Sequence, residues 1–227
     1  AEVGFFGRVL LNAFNAWEYS WQCGREDLKE NSMKVFDSYL KNGFTQAGFF
    51  KESVNFDRGN EDPVHSIRRQ SEGIYAMLHF LAYEKENGRR HPEWEQKMKN
   101  MLDILLQLQH ADGSFPRKFH DDFTVVDDSG GSTPSATLPL IMGYKYFKDK
   151  RYLASAKRTA DYLEKVLISK ADYFSSTLDA NCEDKEASLY AATATYYLSL
   201  ITKGDEHRHY ADLTRKAAYF ALSWYYV

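Results

Sequence analysis

The chain has 227 residues, of which 44% are hydrophobic and 27% charged, and its formal net charge is -3. This length suits about one large domain with a full hydrophobic core. Basic runs are no longer than residues 89–91, and no apolar run approaches the roughly 20 residues that a membrane span requires. Neither a nucleic acid nor a membrane is therefore expected as a partner.

Apolar residues recur at helical spacing along most of the chain, which predicts an all-α protein. The first predicted helix is apolar on nearly all sides, and the second is amphipathic and is ended by Asn42-Gly43. Asp62-Pro63 and Thr133-Pro134 each resemble a capping residue followed by proline at the first helical position. The eight predicted helices span residues 5–22, 26–40, 63–85, 92–109, 134–147, 151–169, 183–200 and 207–226.

The connections between these helices alternate in length. Short turns join the two helices of each pair, whereas the long polar segments 44–61, 110–133 and 170–182 join one pair to the next. Long loops are uncommon in compact domains unless they are functional. Since paired helices run in opposite directions, the three long segments should converge on one face, and no strand is predicted in them.

The second helices of the last three pairs align on one another. Trp94, Tyr152 and Tyr210 hold the same first-turn position and follow one another at intervals of 58 residues. A fixed period of this size indicates stacked αα-hairpins, although chance similarity among amphipathic helices is the alternative.

The two cysteines test this arrangement. Cys23 lies in a short turn and Cys182 in a long segment, so they should sit at opposite ends of helices about 27 Å long. We therefore expect no disulfide between them. Neither cysteine belongs to a CxxC motif, which disfavours a zinc site.

The helix pattern, the long loops and the motif Gln-x-x-Asp-Gly-Ser-Phe at residues 109–115 resemble the α/α-toroid, or six-hairpin, superfamily. That superfamily includes many glycoside hydrolases and some polysaccharide lyases, and the motif is also similar to the repeat of terpene cyclases. The resemblance implies a single toroid domain over residues 1–227 and, by analogy, a periplasmic or extracellular location. A complete ring has twelve helices, so either the chain is a piece of a longer one or its ring is smaller and open.

A glycosidase needs two carboxyl groups about 5 to 10 Å apart. We predict Asp128, Asp179 and Glu72 as catalytic, because they lie in or near the long segments and the starts of the inner helices. Asp128 and its neighbour Asp127 could instead build the turn before Gly-Gly, and Glu72 could be an ordinary helical residue. For acids near residue 183 the alternative is stabilisation by the helix dipole, with Asn181 and Asp184 as a capping pair. This alternative applies to Glu183, Asp184 and Glu186, whereas Asp121 and Asp122 are expected to be solvated.

The predicted substrate-binding residues combine charge with aromatic rings. Arg68 and Arg117 would pair with a carboxylated sugar or with local aspartates, as would Arg69, and Asp127 is also predicted to bind substrate. Aromatic rings of the long segments are expected to stack on sugar: Phe49, Phe50, Phe56, Phe115, Phe123 and Tyr173. Trp17, Tyr19 and Trp21, at the short-turn end of the first helix, are expected to pack internally.

The leading hypothesis is a glycoside hydrolase domain, or a piece of one, that takes a carbohydrate ligand and uses Asp128 and Asp179 as its carboxylate pair. No cofactor and no metal are expected, although His120 beside Asp121 and Asp122 is a weaker metal-binding alternative. Because Asp121-Asp122 does not continue as DDxxD, prenyl chemistry is disfavoured. A lyase with a Tyr or His base and an arginine that holds a uronate remains an alternative, as does a non-catalytic glycan-binding or scaffold domain. The sequence does not indicate the oligomeric state.

Overall fold

A computed structural model of the chain describes residues 2–4, 6–55, 60–129, 131–174 and 182–225. Helices dominate the described residues, as predicted, and a π-helical segment, Leu163–Ile168, continues the sixth of them. None of the helices in these ranges has the length and apolar character of a membrane-spanning segment. The helices are α1 Phe6–Cys23, α2 Glu26–Asn42, α3 Ile67–Glu86, α4 Pro92–Leu108, α5 Thr133–Phe147, α6 Lys150–Tyr162, α7 Lys185–Ile201 and α8 Gly204–Ser223.

The helices form two layers. Each odd-numbered helix contacts the helix that follows it, and the odd-numbered helices also contact one another in the order α1, α3, α5, α7. These four are the inner helices, and the even-numbered helices lie outside them. The inner helix α5 is buried along residues 133–143, in keeping with its apolar sequence. The predicted succession of αα-hairpins is thus confirmed.

The repeat of 58 residues reflects equivalent burial on the outer helices. Trp94, Tyr152 and Tyr210 are all buried near the start of α4, α6 and α8. Trp94 and Tyr152 are the third residues of their helices, whereas Tyr210 lies in the second turn, because α8 begins at Gly204. An amphipathic outer helix places its apolar face against the inner layer, so a large buried ring lies near the same end of each of these hairpins.

Both cysteines, Cys23 and Cys182, are exposed and free, which confirms that they form no disulfide. Trp17 is buried as predicted, but Tyr19 and Trp21 are exposed, so the expectation that they pack internally was wrong. Trp21 instead contacts two cations, with Lys29 Nζ at 4.0 Å and the Arg89 guanidinium carbon at 4.3 Å from its ring centre.

Two small antiparallel sheets correct the prediction that the long segments hold no strands. The first contains β1 Glu2–Gly4, β2 Ser53–Asn55 and β3 Asn60–Glu61, and the second contains β4 Val64–Ser66, β5 Lys118–His120 and β6 Val125–Asp127. Strands of two or three residues are too short for an alternating pattern to reveal them.

The start of α3 was also predicted wrongly. Asp62 accepts a hydrogen bond from the Val64 backbone N–H at 3.0 Å, so Asp62-Pro63 shapes the turn before β4 and the helix begins only at Ile67. In β4, Val64 lies opposite His120 of β5. This pairing joins β4, which follows the first long segment, to the second long segment.

Side chains strengthen the link between these two segments. His65 Nε2 lies 2.6 Å from an Asp121 carboxylate oxygen, and the His65 ring stacks on Phe49 at 4.6 Å. Asp121 and Asp122 are both exposed, as expected; Asp121 is held by His65, and Asp122 accepts a hydrogen bond from the backbone N–H of Thr124. The first two long segments converge as predicted, but residues 175–181 of the third lie outside the described residues.

A buried carboxylate, Glu84, fixes the other end of α3. It is 1% exposed and accepts hydrogen bonds from Trp17 Nε1 at 2.9 Å and from Arg89 Nη2 at 2.6 Å, while His91 Nε2 lies at 2.9 Å. Burial by itself raises the pKa of Glu84, but the hydrogen bonds from Arg89, His91 and Trp17 outweigh it and leave the pKa lowered. The ionised form is therefore the stabilising one.

We expect Glu84→Gln to lower the free energy of unfolding at pH 7 by about 2 kcal/mol, because charge-assisted hydrogen bonds are lost. Since the pKa of Glu84 is lowered by folding, the stabilisation is present above the unfolded value of about 4.3 and disappears as the pH falls through the folded pKa. Urea denaturation from pH 3 to pH 7 should show the two proteins converging in acid. Glu86→Gln, an exposed change in the same helix, is the control; a constant difference at all pH values would contradict the role of Glu84.

Candidate functional site

A cavity of about 290 Å³ opens where the first halves of all four inner helices meet. This is the end at which the long segments enter the helices. Its volume is near the lower limit of about 300 Å³ for small-ligand sites. The cavity is lined by Gly7, Arg8, Leu11, Asn12, Ser71, Glu72, Tyr75, Ser135, Leu138 and Tyr190.

Close contact between α1 and α3 positions the charged groups of this cavity. A Cβ atom on Gly7 would lie 2.7 Å from the Gly73 backbone nitrogen and 2.9 Å from the Glu72 Cβ. Only glycine permits this approach, which brings the next residue, Arg8, alongside Glu72. The Arg8 Nε lies 3.9 Å from a Glu72 carboxylate oxygen.

Glu72 is the carboxylate at the centre of the cluster. It accepts a hydrogen bond from Arg68 Nε at 2.9 Å, one helical turn earlier, and another from the hydroxyl of Tyr190 on α7. Both partners are donors, so they complement an acceptor-only carboxylate. The structure thus brings together two predicted site residues, Arg68 and Glu72.

A second carboxylate, Glu186, shares the same cations. Its oxygens lie 2.6 Å from Arg68 Nη2 and 3.3 Å from Arg8 Nη2. The two arginines therefore bridge Glu72 and Glu186. The structural alternative given for the acids near residue 183 is confirmed for Asp184, which caps α7 by accepting a hydrogen bond from the Glu186 backbone N–H at 2.7 Å.

The cluster keeps its polar groups in defined protonation states. Burial alone lowers the pKa of Arg68, but Glu72, Tyr190 and Glu186 more than compensate and leave the pKa raised. Burial, followed by the charge of Glu72, raises the pKa of the Tyr190 hydroxyl. Arg68 thus stays cationic and Tyr190 stays a neutral phenol at physiological pH.

Arg117 and Asp127 form a separate ion pair beside the second sheet. Arg117 Nη2 lies 2.5 Å from an Asp127 carboxylate oxygen, and Asp127 also accepts a hydrogen bond from the Ser129 backbone N–H at 2.9 Å. Burial raises the pKa of Asp127, but the hydrogen bonds from Ser129 and the charge of Arg117 lower it on balance. Arg117 thus pairs with a local aspartate. Arg69 pairs with a glutamate, Glu52.

Asp128 contacts a different residue from those that surround Glu72. Its side chain is 62% exposed and is 3.5 Å from His110 Nδ1, in the segment after α4. Asp179 lies outside the described residues, so its distance from Asp128 or Glu72 stays a prediction. Within the described ranges, no three His, Cys, Asp or Glu side chains gather in a way that would hold a metal ion.

The expectation that loop aromatics stack on sugar was wrong for most of them. Phe115 and Tyr173 are 0% and 1% exposed. Phe115 belongs to the turn whose backbone bonds to Thr133, and Tyr173 contacts Phe220 at 4.4 Å between ring centres. Phe49 and Phe50 are likewise buried, Phe123 is exposed, and Phe56 lies outside the described residues.

Arg8 and Tyr190 belong to the site but were not predicted. Arg8 stands in the first turn of an otherwise apolar stretch of α1, and an isolated cation in such a helix is a signal that could have identified it. Tyr190 carries no comparable signal, because it is one of 16 tyrosines and its contact with Glu72 links helices far apart in the chain.

No family model matches the chain, but solved structures share its fold. D-mannose isomerase matches with a TM-score of 0.72 and 15% identity, over 98% of this chain and 61% of that one. Cellobiose 2-epimerase from Spirochaeta thermophila DSM 6192 gives 0.73 and 12%, over 98% and 60%. Unsaturated glucuronyl hydrolase from Bacillus sp. GL1 gives 0.69 and 14%, over 95% and 60%.

This chain thus spans about three fifths of the length of the structures it matches. All three are carbohydrate-processing enzymes. At identities this low, the structural similarity establishes a shared fold alone. The succession of inner and outer helices agrees with that fold. The chain has the α/α-toroid fold.

Proposed function

We propose that the chain carries the sugar-binding and catalytic groups of a glycoside hydrolase. The observation that supports this most is Glu72, a carboxylate at a cavity shared by all four inner helices and surrounded by hydrogen-bond donors. A carboxylate held as an acceptor suits a general base or a nucleophile. The sugar chemistry of the structural neighbours supports a carbohydrate substrate.

The proton for the leaving group must come from a second carboxyl group. We propose Asp128 or Asp179 for this role, since they belong to the segments that lead into α5 and α7. Arg68 holds Glu72 in place. Asp127 and Arg117 are proposed to contribute substrate contacts near the start of α5.

The proposal predicts that neutral oligosaccharides incubated with the protein gain reducing ends. If Asp128 or Asp179 is the acid, its change to Asn should lower turnover by about 10²- to 10⁴-fold, with little change in melting temperature. Asp122→Asn is the matched control, because Asp122 is an exposed aspartate of the same segment as Asp128. Wild-type turnover in both test variants would exclude these two residues as the acid.

The contact between Arg68 and Tyr190 supports a second candidate. The Arg68 guanidinium carbon lies 5.8 Å from the Tyr190 ring centre, so a tyrosine and an arginine of the kind that a lyase requires are neighbours; the raised pKa of Tyr190 opposes the phenolate that a base needs and places this candidate second. A lyase would produce an unsaturated sugar with a new ultraviolet absorbance, whereas a hydrolase would not. Binding of an oligosaccharide without either product would indicate a glycan-binding domain.

A further inference from the structure

We infer that the tyrosine pair Tyr75–Tyr197 closes the inner end of the candidate site and determines the length of ligand that the site accepts, an inference that rests on the proposed sugar-processing function. The two hydroxyl oxygens are hydrogen-bonded at 3.1 Å. Tyr75 lines the cavity of about 290 Å³ that holds Glu72, which we call the first cavity. Tyr197 lines a second cavity, of about 440 Å³. The pair therefore stands where the two cavities meet.

The second cavity follows the first along the inner helices. From Glu72 to His79 on α3, and from Tyr190 to Tyr197 on α7, the helix rises about 10 Å. Because the helices of each pair are antiparallel, the four inner helices run in the same direction, and the second cavity lies on the side of the short turns. Each inner helix contributes to both cavities, and its residues that line the second come later in the chain, among them Phe14, His79, Met142 and Tyr197.

The boundary between the cavities is one helical turn deep on α5. Leu138 lines the first cavity, and Ile141 already lines the second. Since α5 contacts both α3 and α7, the hydroxyl groups of Tyr75 on α3 and Tyr197 on α7 meet across it. The Tyr75 ring also contacts His79, with 4.5 Å between ring centres. Side chains that reach across α5 thus separate the two cavities.

The hydrogen bond between the tyrosines makes this boundary resistant to a ligand. Burial, followed by the hydrogen bond with Tyr197, raises the pKa of Tyr75, so Tyr75 is a neutral phenol at physiological pH. A ligand that extended beyond the first cavity would have to break the hydrogen bond and leave two partly buried hydroxyl groups without a partner, which is unfavourable. The first cavity therefore accepts only ligands that end at Tyr75.

Tyr197→Ala tests this role, because it removes the ring that meets Tyr75 and joins the two cavities. Calorimetry would compare the binding of methyl β-glucoside with that of hexyl β-glucoside, whose longer chain suits the apolar side chains of Ile141 and Met142 in the second cavity. Tyr75→Ala opens the boundary from the other side and is the second variant. Tyr219→Ala is the control, since Tyr219 is an exposed tyrosine on α8 that lines neither cavity. Thermal melting would establish that each variant is folded.

The expected result is a change in the preference for the longer glucoside. The ratio of the hexyl glucoside affinity to the methyl glucoside affinity should be at least about tenfold higher in Tyr197→Ala than in the wild type, because each buried methylene group contributes about fourfold. Tyr75→Ala should raise the ratio in the same direction. Tyr219→Ala should keep the wild-type ratio.

An unchanged ratio in the folded alanine variants of Tyr75 and Tyr197 would overturn the inference. An equal rise in Tyr219→Ala, or no binding of methyl glucoside by the wild type, would overturn it as well. Failure of the hydrolase proposal gives a different result. The expected ratios without turnover of any glycoside would contradict the hydrolase and support the boundary, whereas turnover with an unchanged ratio would do the reverse.

Discussion

Glu72→Gln is expected to lower glycoside turnover by about 10²- to 10⁴-fold, the usual contribution of a general base. The amide that replaces the carboxylate keeps the size of the side chain and can still accept a hydrogen bond, but it cannot take up a proton or attack a sugar. Initial rates of reducing-sugar release would measure the loss. A melting temperature close to that of the wild type would show that the loss is chemical.

The control for this change is Glu86→Gln, near the opposite end of the same helix, α3. Glu86 is exposed and lies away from the Arg68–Glu72 pair, so the turnover of the Glu86→Gln variant should equal that of the wild type. Tyr190→Phe separates the two candidate reactions. It should abolish a lyase that uses Tyr190 as its base, whereas a hydrolase should keep part of its activity. Wild-type turnover in Glu72→Gln would remove Glu72 from the proposed mechanism.

Gly113→Ala should destabilise the fold by about 2–5 kcal/mol. Gly113 has a φ of +93°, and a Cβ atom there would lie 2.1 Å from the Arg158 backbone oxygen on α6. The left-handed backbone costs about 1–2 kcal/mol for other residues, and overlap within a close contact typically adds about 1–3 kcal/mol, occasionally more. The added Cβ would meet backbone atoms of α6, so no side-chain rotation can relieve the overlap. Urea denaturation would measure the change.

Gly88→Ala is the control that measures the cost of the left-handed backbone without a steric overlap. Gly88 also has a positive φ, +77°, but its added Cβ would have no neighbour within 4 Å. The expected cost is therefore the conformational one alone, about 1–2 kcal/mol. Equal destabilisation by the two substitutions would show that the approach of residue 113 to α6 is not what requires glycine.

The Gln-x-x-Asp-Gly-Ser-Phe motif was recognised from sequence, and its contacts explain its composition. Gln109 Nε2 donates to the Ser155 backbone oxygen at 3.0 Å and to Thr159 Oγ1 at 2.9 Å, both on α6. Asp112 accepts a hydrogen bond from the Ser114 backbone N–H at 3.0 Å. The motif is thus a turn that binds the next outer helix, which agrees with the resemblance to α/α-toroid proteins that it supported.

Other features could not be predicted because they depend on distant residues. Asp62-Pro63 has the composition of a helix start, yet the pairing of β4 with β5 delays α3 to Ile67. Phe115 lies in a polar segment, and only the fold shows that its ring is buried. The contact between Arg8 and Glu186 joins residues 178 positions apart, and local patterning carries no information about such a pair.

The pairing of β4 with β5 also has a consequence for folding during protein synthesis. The Ile67 backbone N–H donates to the Arg117 backbone oxygen at 3.2 Å, so the start of α3 is held by a segment made about fifty residues later. The strand before α3 and the strand after α4 therefore pair with each other and hold the two ends of the α3–α4 hairpin together. We therefore expect Arg68 and Glu72 to acquire their final backbone position only once residues 117–120 have left the ribosome.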